Sequence, residues 1–291
     1  MKSFKSCHPL AGAVYYLYFI IFTVVYRHPA AVGIALVSAF SFAVITTGKR
    51  AVIFNLRFVL PVFLVTAVLN PLINHEGATV LVYFKNGNPL TLESVIYGLY
   101  SGTMLAAVMN IFLSLNEIMT DDKISYLIGN AAPYLALVFS LTLRFIPQFT
   151  GYVKEALSAQ QTLGNNRKNS ITGKIKMSAT VISSSVTRSI EHSAETAQSM
   201  KSRGFATGKR TYFSLYRFTF KDIAALIFFS VCIVSISVLT ANGALSFTYF
   251  PVISSSNRDW KELSALLSSF VLFIFPCFTD IKEEIRWKLS H

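Results

Sequence analysis

The sequence predicts an all-α polytopic membrane protein, a bundle of about 5–7 transmembrane helices carrying additional long amphipathic helices. Three observations predict it. The 291 residues are 53% hydrophobic and only 14% charged, with a mean hydropathy of +0.52, too apolar for a soluble domain of this length. The apolar residues fall into runs of helical length separated by short polar breaks. Residues 147–221 then interrupt this pattern with a strongly basic stretch.

Seven apolar segments stand out, at about 10–26, 30–47, 58–74, 94–115, 126–146, 222–241 and 262–279. A helix crossing a bilayer needs roughly 20 apolar residues, with about 17 as the lower limit, so the first three are expected to be short or tilted. Lys2 and Lys5 ahead of the first segment resemble a secretory leader. No small-residue cleavage site follows, so that helix is expected to be retained. Arg27, His28 and Pro29 form a tight break before the second segment, and Lys49, Arg50 and Arg57 read as a basic loop before the third. Residues 75–93 hold Asn86-Gly87 between two β-prone runs, a short hairpin signal. Like the Ser- and Asn-rich stretch 242–261, this segment lacks a basic excess and suits the outer face.

The basic stretch carries Lys154, Arg167, Lys168, Lys174, Lys176, Arg188, Lys201, Arg203, Lys209, Arg210, Arg217 and Lys221 against Glu155, Glu191 and Glu195. Positive charge of this density stays on the cytoplasmic side. The division expected is a transmembrane region over 1–146, a cytoplasmic helical region over 147–221, and a transmembrane region with a cytoplasmic tail over 222–291. Seven full crossings do not fit that placement. Either one of the first five segments is interfacial or re-entrant, or the N-terminus is outside.

Two helices are expected within the basic region, one over about 148–163 ending at Gly164, the other over about 174–203 ending at Gly204. On the second, Met177, Val181, Ile182, Val186, Ile190, Ala194 and Ala197 recur every three to five residues among polar neighbours, which reads as one apolar stripe. Arg144 and Pro147 in "TLRFIPQF" close the fifth apolar segment and anchor the start of the loop, the arginine reaching back toward the headgroups. "SMKSRGF" at 199–205 places Arg203 in a last helical turn with Gly204 after it, which is also how an ordinary helix stops.

The net charge of +12 points to anionic membrane lipids or an acidic protein partner, not to nucleic acid. No Gly-rich loop with P-loop spacing, no paired carboxylates beside a nucleophile and no metal-ligand spacing occurs, so neither cofactor nor metal is expected. Cys7, Cys232 and Cys277 are far apart and read as packing residues. His192 reads as a solvated helix residue. The centres of the apolar segments lack Asp, Glu, Lys, Arg and His, which weighs against a stand-alone carrier. Asn70-Pro71 and Asn110 are the polar exceptions, expected to give a kink and an interhelical hydrogen bond.

Two helices ending in small-x-Gly inside a basic loop opened by "LRFIPQF", together with "SMKSRGF", resemble the transmembrane T component of energy-coupling factor transporters, the vitamin and transition-metal uptake systems. "HPL" near the start and "NPLIN" before "GATVL" fit the same family. The resemblance implies a non-catalytic, multi-pass subunit of a bacterial plasma membrane. It implies as partners two ATP-binding cassette ATPases and a small substrate-binding integral membrane subunit. The family's two Ala-Arg-Gly docking motifs map onto Thr162, Leu163 and Gly164 and onto Ser202, Arg203 and Gly204. Arginine is kept only in the second, and Leu163 stands where the first would have it. The stripe through Met177, Val181, Val186 and Ile190 would be the platform for the substrate subunit. A carrier or channel acting without ATPases is the competing reading.

Overall fold

The computed structural model describes residues 4–83, 88–162, 171–205, 207, 216, 218–255 and 260–289. These form two compact units, Met1–Lys123 with Tyr216–His291, and Ile124–Leu215.

The first unit is a helical bundle. Helices α1 (Pro9–Val25) and α2 (Pro29–Thr47) both begin with proline at the position where no backbone donor is needed. The break read at Arg27, His28 and Pro29 is where they meet. The basic loop expected around Lys49–Arg57 does not exist as a loop. Gly48, at φ +60°, makes the turn alone, and a continuous 25-residue apolar run follows from Lys49 to Ile73. It consists of α3 (Lys49–Phe54), a π-helical turn (Asn55–Val59) and α4 (Leu60–Ile73). Lys49 and Arg50 therefore open a helix, and Arg57 lies inside the π turn.

Strands β1 (Val80–Tyr83) and β2 (Pro89–Thr91) pair antiparallel, with Val82 opposite Leu90. This is the hairpin the sequence predicts, and its Asn86-Gly87 turn lies outside the described residues. Thr91 caps α5 (Leu92–Ile118) by accepting a hydrogen bond from Ser94 N–H at 3.4 Å. After the second unit, a capping box between Thr219 and Asp222 starts α9 (Phe220–Ala241). The short ladder β3 (Phe247–Thr248) with β4 (Ser254–Ser255) precedes α10 (Trp260–Leu289).

Among the described residues, five helices are long and apolar enough to cross a membrane: Pro29–Thr47, Lys49–Ile73, Leu92–Ile118, Asp222–Ala241 and Trp260–Glu283, with α1 as a shorter apolar helix. The segment 126–146 is not one of them. Pro133 breaks it into α6 (Asp121–Ala131) and the start of α7 (Pro133–Thr162). This removes the surplus crossing.

Small residues bring the helices close. Ala31, Ala35, Ala39 and Ala43 line the buried side of α2, which packs on α5 and α10. Gly98 and Gly102 of α5 do the same for α4: a Cβ at Gly98 would meet Ala67 O at 2.9 Å, and one at Gly102 would meet Phe63 Cδ2 at 2.9 Å. Aromatic rings fill the centre, with Phe19 against Phe273 at 4.4 Å. Asn110 and Asn55 exchange side-chain hydrogen bonds at 2.7 and 2.9 Å, which bears out the interhelical role expected of Asn110.

The two ends of this bundle differ. At the N-terminal end, Phe4 N–H donates to Asp280 Oδ1 at 2.6 Å, Lys5 pairs with Glu117 at 3.0 Å, and Lys123 Nζ donates to the Lys5 carbonyl at 2.6 Å. His8 stacks on Phe218 at 3.7 Å and its N–H donates to Asp222 at 3.2 Å. Burial, then the Asp222 and Asp280 carboxylates, push the Cys7 thiol up to about 11. Only the thiolate reacts readily, so a maleimide at pH 7.5 is expected to leave Cys7 unmodified until denaturant is added. Mass spectrometry of Cys7 peptides checks this.

At the far end, Tyr249 donates to the Arg27 carbonyl at 3.0 Å, Ala78 N–H to the Pro251 carbonyl at 3.1 Å, and His28 meets Glu262 at 3.2 Å. The segments 75–91 and 242–255 therefore share one end. Lys123, where the chain leaves this unit, and Phe218, just after it re-enters, both lie at the other.

Candidate functional site: the ends of an antiparallel helix pair

The second unit contains the basic region as far as Leu215. Its long helices are α7 and α8 (Ile171–Ser202), which pack on each other. Phe145 and Tyr152 of α7 both approach the His192 ring, at 6.0 and 6.3 Å. One turn further along α7, Glu155 pairs with Arg188 at 2.5 Å, and the Arg188 guanidinium lies over the Tyr152 ring at 4.5 Å. Advancing along α7 means moving back along α8, so the pair is antiparallel. His192 is half-buried in this contact, not solvated as the sequence suggested. It helps to line a cavity of about 310 Å³ with Phe145, Phe149 and Tyr152.

An antiparallel pair puts its two C-termini at opposite ends. Thr162 and Ser202 each lie ten residues beyond the Tyr152–His192 contact, which at 1.5 Å per residue is about 15 Å in opposite directions. These are the two helix ends singled out in the sequence.

The end of α8 is defined in detail. Phe205 N–H donates to the Met200 carbonyl at 3.0 Å and Gly204 N–H to the Lys201 carbonyl at 3.0 Å, a Schellman stop with Gly204 at φ +80°. Arg203 is the cap residue directly after α8, exposed and without an ion-pair partner among the described residues. Ser202 Oγ donates back to Gln198 O at 3.0 Å. The ordinary helix stop and a presented arginine are thus the same structure: the left-handed glycine ends the helix and leaves Arg203 at its tip. Gly204→Ala forces a Cβ into that conformation and is expected to cost about 1–2 kcal/mol. Increased proteolysis near residue 204 in intact protein checks this, and Gly204→Asn is expected to lose less.

The end of α7 is described as far as Thr162, whose hydroxyl donates to the Ser158 carbonyl. Leu163, Gly164 and Arg167 lie outside the described residues. Arg144 and Pro147 stand inside α7, which runs unbroken from Pro133, and both are exposed. The helix expected to begin at about 148 therefore begins fifteen residues earlier. The Pro147 carbonyl accepts the Thr150 hydroxyl at 2.7 Å.

The apolar stripe of α8 divides in two. Val181 is buried and Met177 half-buried, on the same side as Ser185, Ser189 and His192. Ile182, Val186 and Ile190 are exposed, together with Ile171 and Ile175. Of the four residues Met177, Val181, Val186 and Ile190, the last two are exposed, Met177 is half-buried and Val181 is buried. Counting apolar residues alone merged the two lines, because serines occupy much of the buried one.

Residues 5–213 match the family model of CbiQ, described as cobalt transport protein. The chain belongs to the CbiQ family. The match runs from the start of the bundle through the end of α8, so both helix ends lie inside it. The energy-coupling factor transporter transmembrane protein EcfT of Listeria innocua serovar 6a is similar over 216 residues. It is 28% identical there, over 68% of this chain and 79% of the relative. The family read from "LRFIPQF" and "SMKSRGF" is the one that matches. A multi-pass membrane component of a transport family is what the helices and the family together establish.

Proposed function

We propose that this chain is the transmembrane coupling scaffold of an energy-coupling-factor-type importer for a vitamin or a metal ion. Two ATPase subunits dock on the ends of α7 and α8, through Thr162, Leu163 and Gly164 and through Ser202, Arg203 and Gly204. ATP-driven motion of these subunits passes through the helix pair to a substrate-binding membrane subunit, which Val186 and Ile190 help to grip. The observation that carries this reading is the antiparallel pairing of α7 and α8. It presents two C-termini on opposite sides of one rigid contact, an arrangement that suits two separate docking partners. The basic excess of that region supports a cytoplasmic position, where ATPases are. A guanidinium at a helix tip can meet a carboxylate with two parallel hydrogen bonds. The Listeria relative's name, a transmembrane protein of an energy-coupling factor transporter, supports the same role.

The test is co-expression of the full chain with the cassette ATPases of its own organism, followed by affinity capture in detergent and native mass spectrometry. Capture of two ATPase subunits per chain is the expected result. A folded chain that captures none, or that transports without ATPases in vesicles, would favour the carrier reading instead.

A further inference from the structure

We propose that the face formed by α2, the Lys49–Ile73 run and α5 is a binding site for one anionic phospholipid, with an acyl chain in the groove and its phosphate on Lys49, Arg50 and Arg57. The groove encloses about 550 Å³. Val37 and Phe40 form one wall, Leu56, Leu60 and Phe63 the other, and Ala106 lies on the α5 side. Its polar lining is already satisfied: Asn55 is paired with Asn110, and the Thr103 hydroxyl donates to the Leu99 and Tyr100 carbonyls. A ligand there is asked for hydrocarbon and nothing else, which suits an acyl chain.

The charges specify the headgroup. Lys49 and Arg50 are exposed where the helix begins, at the N-terminal end of the bundle. Arg57, also exposed, lies about 12 Å further along the same helix than Lys49. It has only its contact with the Phe58 ring at 5.8 Å and no ion pair among the described residues. No acidic residue precedes Glu76 in the sequence, so α2 and the Lys49–Ile73 run carry only positive charge, while Glu117 and Asp280, at the same end of the bundle, are engaged by Lys5 and by Phe4 N–H. An arginine on a lipid-facing helix is costly unless it reaches a phosphate or another anion. Basic pockets between transmembrane helices on the cytoplasmic side bind anionic headgroups for this reason. Next to Leu56 of the groove wall, Arg57 is placed to reach back toward a phosphate whose chain fills the groove. A neutral transmembrane helix of a partner would fill the groove but leave the three cations without a counterion.

The test uses the full chain, stripped of lipid in detergent and titrated by native mass spectrometry with phosphatidylglycerol or phosphatidylcholine of identical chains. Phosphatidylglycerol is expected to bind more tightly. Replacing Lys49, Arg50 and Arg57 together by Gln is expected to weaken it on the order of fivefold per charge, leaving phosphatidylcholine binding unchanged as the control for folding. Val37→Trp, at the exposed rim, is expected to weaken both lipids. Equal binding of the two lipids, or phosphatidylglycerol binding indifferent to the triple Gln variant, would overturn the proposal. So would competition by inorganic phosphate as effective as that by the lipid, or indifference to Val37→Trp, since either removes the acyl chain from the site. A photo-crosslinker at Val37 in native membranes that yields a peptide adduct in place of a lipid adduct would assign the groove to a protein helix.

Discussion

Arg203→Glu is expected to leave membrane insertion at wild-type level and to weaken capture of one ATPase by about 30-fold to several thousandfold. That is the range for breaking a desolvated charge pair, roughly 2–5 kcal/mol. The side chain is exposed at the tip of α8 and makes no ion pair among the described residues, so the bundle does not depend on it. The intramolecular cost is limited to a carboxylate near a helix C-terminus, about 0.3–1 kcal/mol. Arg203→Lys keeps the charge but not the planar fork and is expected to recover only part of the binding. Leu163→Asp tests the other end: with no arginine there, the contact is expected to be apolar, and the loss smaller and insensitive to salt. Native mass spectrometry of the captured complexes reads the stoichiometry directly. Equal losses from Leu163→Asp and Arg203→Glu at both subunits would remove the asymmetry. Loss of insertion in Arg203→Glu would make Arg203 a folding residue.

Gly98→Leu and Gly102→Leu are expected to have the largest effect on the bundle itself. At both positions an added Cβ would already stand 2.9 Å from an atom of α4, in one case the Ala67 carbonyl, which cannot rotate away. The remaining carbons of leucine would push α4 off α5 and separate Asn55 from Asn110. Overpacking of this kind costs about 1–3 kcal/mol per site, occasionally more, and a broken interhelical pair adds roughly 0.6 kcal/mol. Gly102→Ala is the milder control, expected to cost less than Gly98→Ala because its closest contact is the Phe63 ring and not a backbone carbonyl. The midpoint of reversible denaturation in mixed micelles, followed by circular dichroism, measures both. Wild-type stability in Gly98→Leu would mean that α4 and α5 are not held at this distance.

The glycine pair also marks where reading the sequence stopped short. Gly98 and Gly102 are four residues apart in an apolar run, the spacing that lets two membrane helices touch, and that signal was in plain view. The helical bundle, the β1–β2 hairpin and the Arg203-Gly204 stop were legible because each rests on local pattern: apolar runs, a turn dipeptide, a cation before a glycine. Three features were not. Around Lys49 three cations outweigh the apolar residues among them and read as a loop, whereas one glycine at positive φ makes the whole turn and a helix follows. Segment 126–146 has the composition of a crossing, but Pro133 splits it. The buried side of α8 is built from Ser185, Ser189 and His192 as much as from Val181, so hydrophobicity could not separate it from the exposed isoleucines. Each failure arises where packing partners, not composition, decide which face is covered.

The chain leaves the bundle at Lys123 and returns at Tyr216 on the same end of it, with Lys123 and Phe218 fastened there to Lys5 and His8. Everything between is one uninterrupted insertion whose two junctions sit side by side. Such a segment can be exchanged as a cassette. Exchanging residues 124–215 for those of a relative keeps residues 1–123 and 216–291, which make up the bundle, unchanged on either side of the two junctions. The bundle and the inserted helix pair are thus free to diversify at different rates.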